Sequence, residues 1–132
     1  MARKSGFTVI ELLSITALLI VVGAVFFIQF NAVNTAQRDD RRRTAINAMY
    51  YNLEKVYAPR NNNKYPKSLS EKILPGIDPA LFTDPDGFKL GDSSSNYRYV
   101  PVDCQENSCS GYTLRADLEA EADFIKKSSD DK

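Results

Sequence analysis

The chain has 132 residues, room for one modest domain once any membrane segment is set aside. Its 17 Lys plus Arg balance its 17 Asp plus Glu, so no overall field draws it to nucleic acid or an anionic surface. Histidine is absent, which removes the usual proton carrier near neutral pH and the commonest metal ligand. With no nucleophile constellation and no phosphate-cradling loop either, the sequence does not read as an enzyme.

Arg3 and Lys4 precede an apolar run in which Glu11 is the only ionisable side chain from Phe7 to Phe30. As helix those residues extend about 36 Å, enough to cross a hydrocarbon core about 30 Å thick. The basic flank favours a cytoplasmic amino terminus with the rest of the chain exported. A cleaved secretory signal fits poorly, because only Val22, Gly23 and Ala24 offer a small-residue site and more apolar residues follow. A plain signal anchor leaves Glu11 without a role, although a carboxylate in hydrocarbon must find a partner, water or a proton. A cut between Gly6 and Phe7 gives it one: the new Phe7 amine lies four residues, one helical turn, from Glu11. In a bundle of staggered helices the amine of one chain meets Glu11 of another, and the carboxylate keys the register.

The basic leader ending in Gly6, followed by "FTVIELL", resembles the processing site of type IV pilins and of the pseudopilins of type II secretion. The resemblance implies removal of residues 1–6 by a prepilin peptidase and N-methylation of Phe7. It further implies self-assembly into a filament through Glu11, driven by an assembly platform and its ATPase. The implied fold is α+β and lollipop-shaped, with a long N-terminal helix whose second half packs against a small antiparallel sheet. The implied location is the cytoplasmic membrane and then a cell-surface filament serving adhesion, motility, secretion or DNA uptake. Nucleic acid is a partner only in the last case. One departure from the family pattern is the lack of proline between Met1 and Ala58, which leaves Gly23 as the intrinsic weak point of the hydrophobic helix. The competing reading is a monomeric, signal-anchored exported domain that binds a ligand or another envelope protein.

Residues 7–30 are therefore expected as membrane or filament-core helix and 31–58 as its amphipathic continuation. In the latter Val33, Ala36, Ile46, Met49, Leu53 and Val56 or Tyr57 form one stripe, and Pro59 ends the helix. "RDDRRR", Arg38 to Arg43, reads as a solvated face with contacts between subunits rather than a polyanion site, since Asp39 and Asp40 dilute it. Residues 59–119 form the distal domain. "APRNNNKYP" is an exposed connector. Ser68 and Glu71 suggest a capping box for a short helix through Leu74, ended by Pro75 and Gly76. Asp78 and Pro79 start a turn at "ALF", and Gly87 in "TDPDG" suits positive φ.

Asp78, Asp84, Asp86 and Asp92 raise the question of calcium, but "DPDGFKLGDSS" lacks alternating ligands and a distal glutamate, so turn chemistry is preferred. No cofactor is expected. "NYRYVPV" and "GYTLRADLE" read as a hairpin with Tyr97, Tyr99, Tyr112 and Leu114 as core candidates and both cysteines in the connection. Cys104 and Cys109 are expected as a disulfide, which implies an oxidising compartment, and too few further ligands exist for zinc. Residues 120–132 are expected as a loose polar tail.

Overall fold

The computed structural model describes residues 6–129, so Arg3, Lys4 and most of the expected leader lie outside the described residues. The layout is α+β: one long N-terminal helix and a four-stranded antiparallel sheet. The chain divides into two compact units, the first ending at Thr35 and the second beginning at Ala36.

Helix α1 spans Val9–Asn52. No proline interrupts it, and Gly23 is its only glycine, so nothing in the sequence removes a donor or adds backbone freedom elsewhere along it. In the first unit its apolar side chains are exposed on every side.

In the second unit the buried face of α1 is Asp39, Arg42, Ala45, Ile46, Met49 and Asn52, a three-to-four-residue spacing. Ile46, Met49 and Leu53 are core, as the spacing predicts, whereas Ala36 is exposed. The stripe continues toward the amino terminus through Arg42 and Asp39, where charged side chains interrupt its apolar signal.

After Asn52 the helix widens into a π segment, Leu53–Tyr57, in which the Ala58 N–H reaches the Leu53 carbonyl. It closes with α2, Ala58–Arg60, so Pro59 lies inside the last turn instead of ending the helix before it. A proline ring clashes with the carbonyl four residues back in regular α-helix, and the wider turn relieves that conflict. Asn61 Nδ2 then donates to the Tyr57 carbonyl at 2.8 Å, and Asn62 and Asn63 reverse the chain at φ 54 and 56. Asparagine tolerates this left-handed region better than most residues.

Strand β1, Tyr65–Pro66, is buried, so the expected connector is exposed only as far as Lys64. The expected Ser68–Leu74 helix is a single turn, with the Ile73 and Leu74 N–H groups on the Ser70 carbonyl. Pro75 leaves no room for the further turns that would offset the cost of helix nucleation. A 3₁₀ turn, Pro79–Phe82, follows as expected, capped by Asp78 accepting from the Ala80 N–H at 2.9 Å. Gly87 has φ 93.

β2 (Tyr97–Gln105) and β3 (Ser108–Ala116) form the expected hairpin with longer strands, so Cys104 and Cys109 face each other within the ladder. They form a disulfide beside a two-residue turn, Glu106–Asn107. β2 borders the sheet, and it contains Pro101 and, at φ 48, Asp103. The other edge of β3 takes β1 near Cys109 and β4, Phe124–Lys127, along Thr113 to Ala116.

β4 corrects the expected loose tail. Phe124 and Lys126 turn inward, Lys126 lying 5.4 Å from the Tyr50 ring centroid, so a lysine covers aromatic surface with its charge retained. Ser128 continues the closure: its N–H meets the Tyr112 carbonyl, and its Oγ would stand 2.9 Å from any Cβ at position 111, so a side chain there would displace the hydroxyl from the Tyr112 N–H it accepts.

The core joins Ala45, Ile46, Met49 and Leu53 of the helix to Tyr97, Tyr112, Leu114 and Ala116 of the sheet. Leu114 is fully buried in β3, between Tyr99 of β2 and Lys126 of β4. Leu114→Ala is expected to cost about 2–5 kcal/mol, read from denaturant unfolding of the full chain in detergent by circular dichroism.

Candidate functional site

The residues assigned to processing and assembly lie at the start of α1. Gly6, Phe7 and Thr8 precede the helix, and Phe7 is 75 % exposed. The Thr8 carbonyl accepts from the Glu11 and Leu12 N–H groups, and Thr8 Oγ1 accepts from the Glu11 N–H at 3.3 Å. Thr8 is thus the N-cap and Glu11 the third helical residue, the spacing of a capping box. "TVIE" carries that signal in the sequence, four residues that also hold the carboxylate spaced one turn from the Phe7 amine. Glu11 is exposed, in the first turn, where a carboxylate suits the helix dipole.

Beyond Glu11 the helix is uncharged and predominantly apolar on every side from Leu12 to Phe30, and no residue of its most apolar stretch is buried within the chain. It is long and apolar enough to cross a membrane, a candidate anchor. Its two hydroxyl residues are internally satisfied: Ser14 Oγ donates to the Ile10 carbonyl at 2.8 Å, and Thr16 Oγ1 to those of Leu12 and Leu13 at 3.1 and 2.9 Å. Such back-bonding lets a polar side chain enter hydrocarbon without an orphaned hydroxyl.

In the second unit the structure corrects the reading of "RDDRRR" as a solvated face. Arg42 is 1 % exposed and Asp39 4 %. Arg42 meets Asp39 at 2.8 Å, Glu119 at 2.7 Å and, through its other terminal nitrogen, Asp86 at 2.8 Å. Asp39 also accepts from the backbone N–H groups of Glu119, at 2.9 Å, and Ala120, at 3.0 Å. Arg38 forks onto Glu119 at 2.7 and 2.5 Å, and Arg43 pairs with Glu121. Most of the cluster is therefore engaged by carboxylates of its own chain. No period in the local sequence could have shown this, because the partners from other elements lie 44 to 81 residues away.

Each of the four aspartates weighed for calcium is held by the fold. Asp84 accepts from the N–H groups of Asp86, Phe88 and Asn96, and Asp86 binds Arg42 and the Asn96 amide. Asp78 caps the 3₁₀ turn, and Asp92 accepts from the Lys89 N–H. Turn and cap chemistry accounts for Asp78, Asp84 and Asp92, and the ion pair with Arg42 for Asp86. A second carboxylate the sequence reading did not single out, Glu54, accepts from the hydroxyls of Tyr65 and Tyr112, at 3.1 and 2.8 Å, and from Ser129. Burial, reinforced by Glu54, holds the Tyr112 phenol far above its ordinary range, so it stays a donor.

Compared with known proteins, the chain matches no protein-family model, no curated protein and no solved structure.

Removing one partner of a buried charge cluster leaves the others unpaired, so Arg42→Ala is expected to lose about 3–5 kcal/mol in denaturant unfolding. The carboxylates also make stability depend on pH. The Arg38 fork, opposed by partial burial and aided by Arg42, holds Glu119 at about 2, below its ordinary 4.5. Burial raises the Asp39 carboxyl, but the Glu119 and Ala120 N–H groups and Arg42 outweigh it and leave it lowered. A carboxyl depressed in the folded state stabilises fully above its unfolded value and loses that contribution as pH falls. The melting temperature should therefore drop from about pH 4.5 toward 2. Glu119→Gln should flatten that part of the curve.

Proposed function

We propose that this chain is a precursor of a type IV pilin-like subunit, cut between Gly6 and Phe7 and assembled from the membrane into a helical filament. The observation that carries the reading is a helix apolar on every side with one carboxylate, Glu11, in its first turn, four residues past Phe7. A helix apolar all round is covered by lipid or by other helices. Moving it from lipid into a helix bundle keeps that surface covered, and the exposed carboxylate is free to meet the terminal amine of a neighbour. N-methylation of Phe7 keeps that amine cationic. The exported sheet domain, with its Cys104–Cys109 disulfide, forms the outer part of each subunit.

The Thr8–Glu11 capping geometry supports a second reading, a signal-anchored exported domain in which Glu11 only starts the helix. Glutamine keeps the capping function and removes the charge, so Glu11→Gln separates the two. As an assembly key, Glu11 cannot be replaced: both Glu11→Gln and Glu11→Val should lower filament yield about a hundredfold or more while membrane insertion continues. Intact mass should show loss of Met1 to Gly6 from the assembled form. Normal filaments from Glu11→Gln, or a working form that retains the first six residues, would favour the monomeric anchor.

A further inference from the structure

Where α1 widens into its π segment, the second unit contains a cavity of about 510 Å³, within the size range of small-ligand sites. π segments occur often at functional sites, because the extra residue in the turn re-aims the side chains around it. Three kinds of chemistry converge here. Val56, Ile73 and Pro75 supply apolar wall, and Arg60 and Lys72 supply two cations. Asn52 supplies a carboxamide.

Asn52 is the unusual member. It is 9 % exposed, it lines the cavity, and its side-chain amide makes no hydrogen bond among the described residues. The amide is not sealed from solvent, so it is left to water or to a ligand in the cavity. Gly76 keeps the cavity open beside it: a Cβ there would come within 3.0 Å of Asn52 Nδ2.

A ligand for this cavity must satisfy a group that both donates and accepts, present a negative charge to Arg60 and Lys72, and carry an apolar body. A fatty acid lacks the first feature, and inorganic phosphate lacks the third. The end of a polypeptide has all three: a peptide group, a free carboxylate and a side chain. Capture of a chain terminus by backbone or side-chain donors is a recurring mode of recognition.

We propose that this cavity binds the free carboxyl terminus of another polypeptide ending in an apolar residue. The carboxylate pairs with Arg60 and Lys72 through charge-assisted hydrogen bonds, the preceding peptide group exchanges hydrogen bonds with the Asn52 amide, and the terminal side chain lies against Val56, Ile73 and Pro75. The proposal does not depend on filament assembly.

The test is an NMR titration of the full chain in lipid nanodiscs with N-acetyl-alanyl-alanyl-leucine, its C-terminal amide and hexanoate, following the Asn52 side-chain signals. The free acid should bind saturably and the amide at least about tenfold more weakly. Arg60→Gln and Lys72→Gln, at exposed positions, should each weaken the acid by a similar factor without lowering the melting temperature. Asn52→Leu should weaken it as well and leave the melting temperature unchanged or raised. Three results would overturn the assignment: no saturable binding of the acid, equal binding of acid, amide and hexanoate, or Asn52→Leu lowering the melting temperature while binding persists. The last would make Asn52 a purely structural residue.

Discussion

A guanidinium almost cut off from water ties the second unit together at three points. Arg42 comes from the helix, Asp86 from the loop before β2 and Glu119 from the passage between β3 and β4. The order of dependence follows. Asp39 and Arg42 fix Glu119 and Ala120, those residues fix the approach to β4, and β4 completes the edge of β3 beneath which Tyr50 and Lys126 meet. Apolar residues at positions 39 and 42 could be equally stable or more so, since buried ion pairs are weak contributors to net stability. Their gain here is direction: a salt-bridged arginine accepts only carboxylates at particular angles, while an apolar patch would accept any loop.

The first unit has the opposite character. Its side chains ask for a medium rather than for particular partners, and its hydroxyl groups near the amino terminus are arranged to be neutral toward that medium. Ser14 and Thr16 return their hydroxyl protons to the helix backbone. Thr8 shares the Glu11 N–H between its carbonyl and its hydroxyl oxygen. Among the described residues of this unit Glu11 alone carries a charge, and it is exposed, which is what gives it meaning in the proposed filament. A side chain that the fold leaves unsatisfied is one whose partner must come from elsewhere.

Much of this was legible before any coordinates. The long apolar helix follows from length and hydropathy, the hairpin from alternating tyrosines, the cap at Asp78 and the turn at Gly87 from local chemistry. What escaped the sequence did so for identifiable reasons. β4 is four residues long with two lysines, and its inward lysine is stabilised by a ring contributed by a distant helix. Asp39 and Arg42 sit on the core stripe, but their charge conceals it until residues 80 positions away are brought alongside. The π segment depends on how a helix accommodates Pro59, a matter of geometry within one turn that residue type alone does not decide. Asn52 could be seen as the next step of the buried stripe, yet nothing local distinguishes an amide that finds a bond from one that does not.

The border strand β2 has a consequence for copies of the chain that meet side by side. An open strand nine residues long would normally invite another strand to zip alongside it, the first step toward disordered aggregation. Pro101 offers no donor to such a visitor, and the left-handed twist at Asp103 breaks the straight row of carbonyls it would need. Lateral sticking through the sheet is thereby discouraged, and meetings between neighbouring molecules are left to surfaces that select by shape and charge.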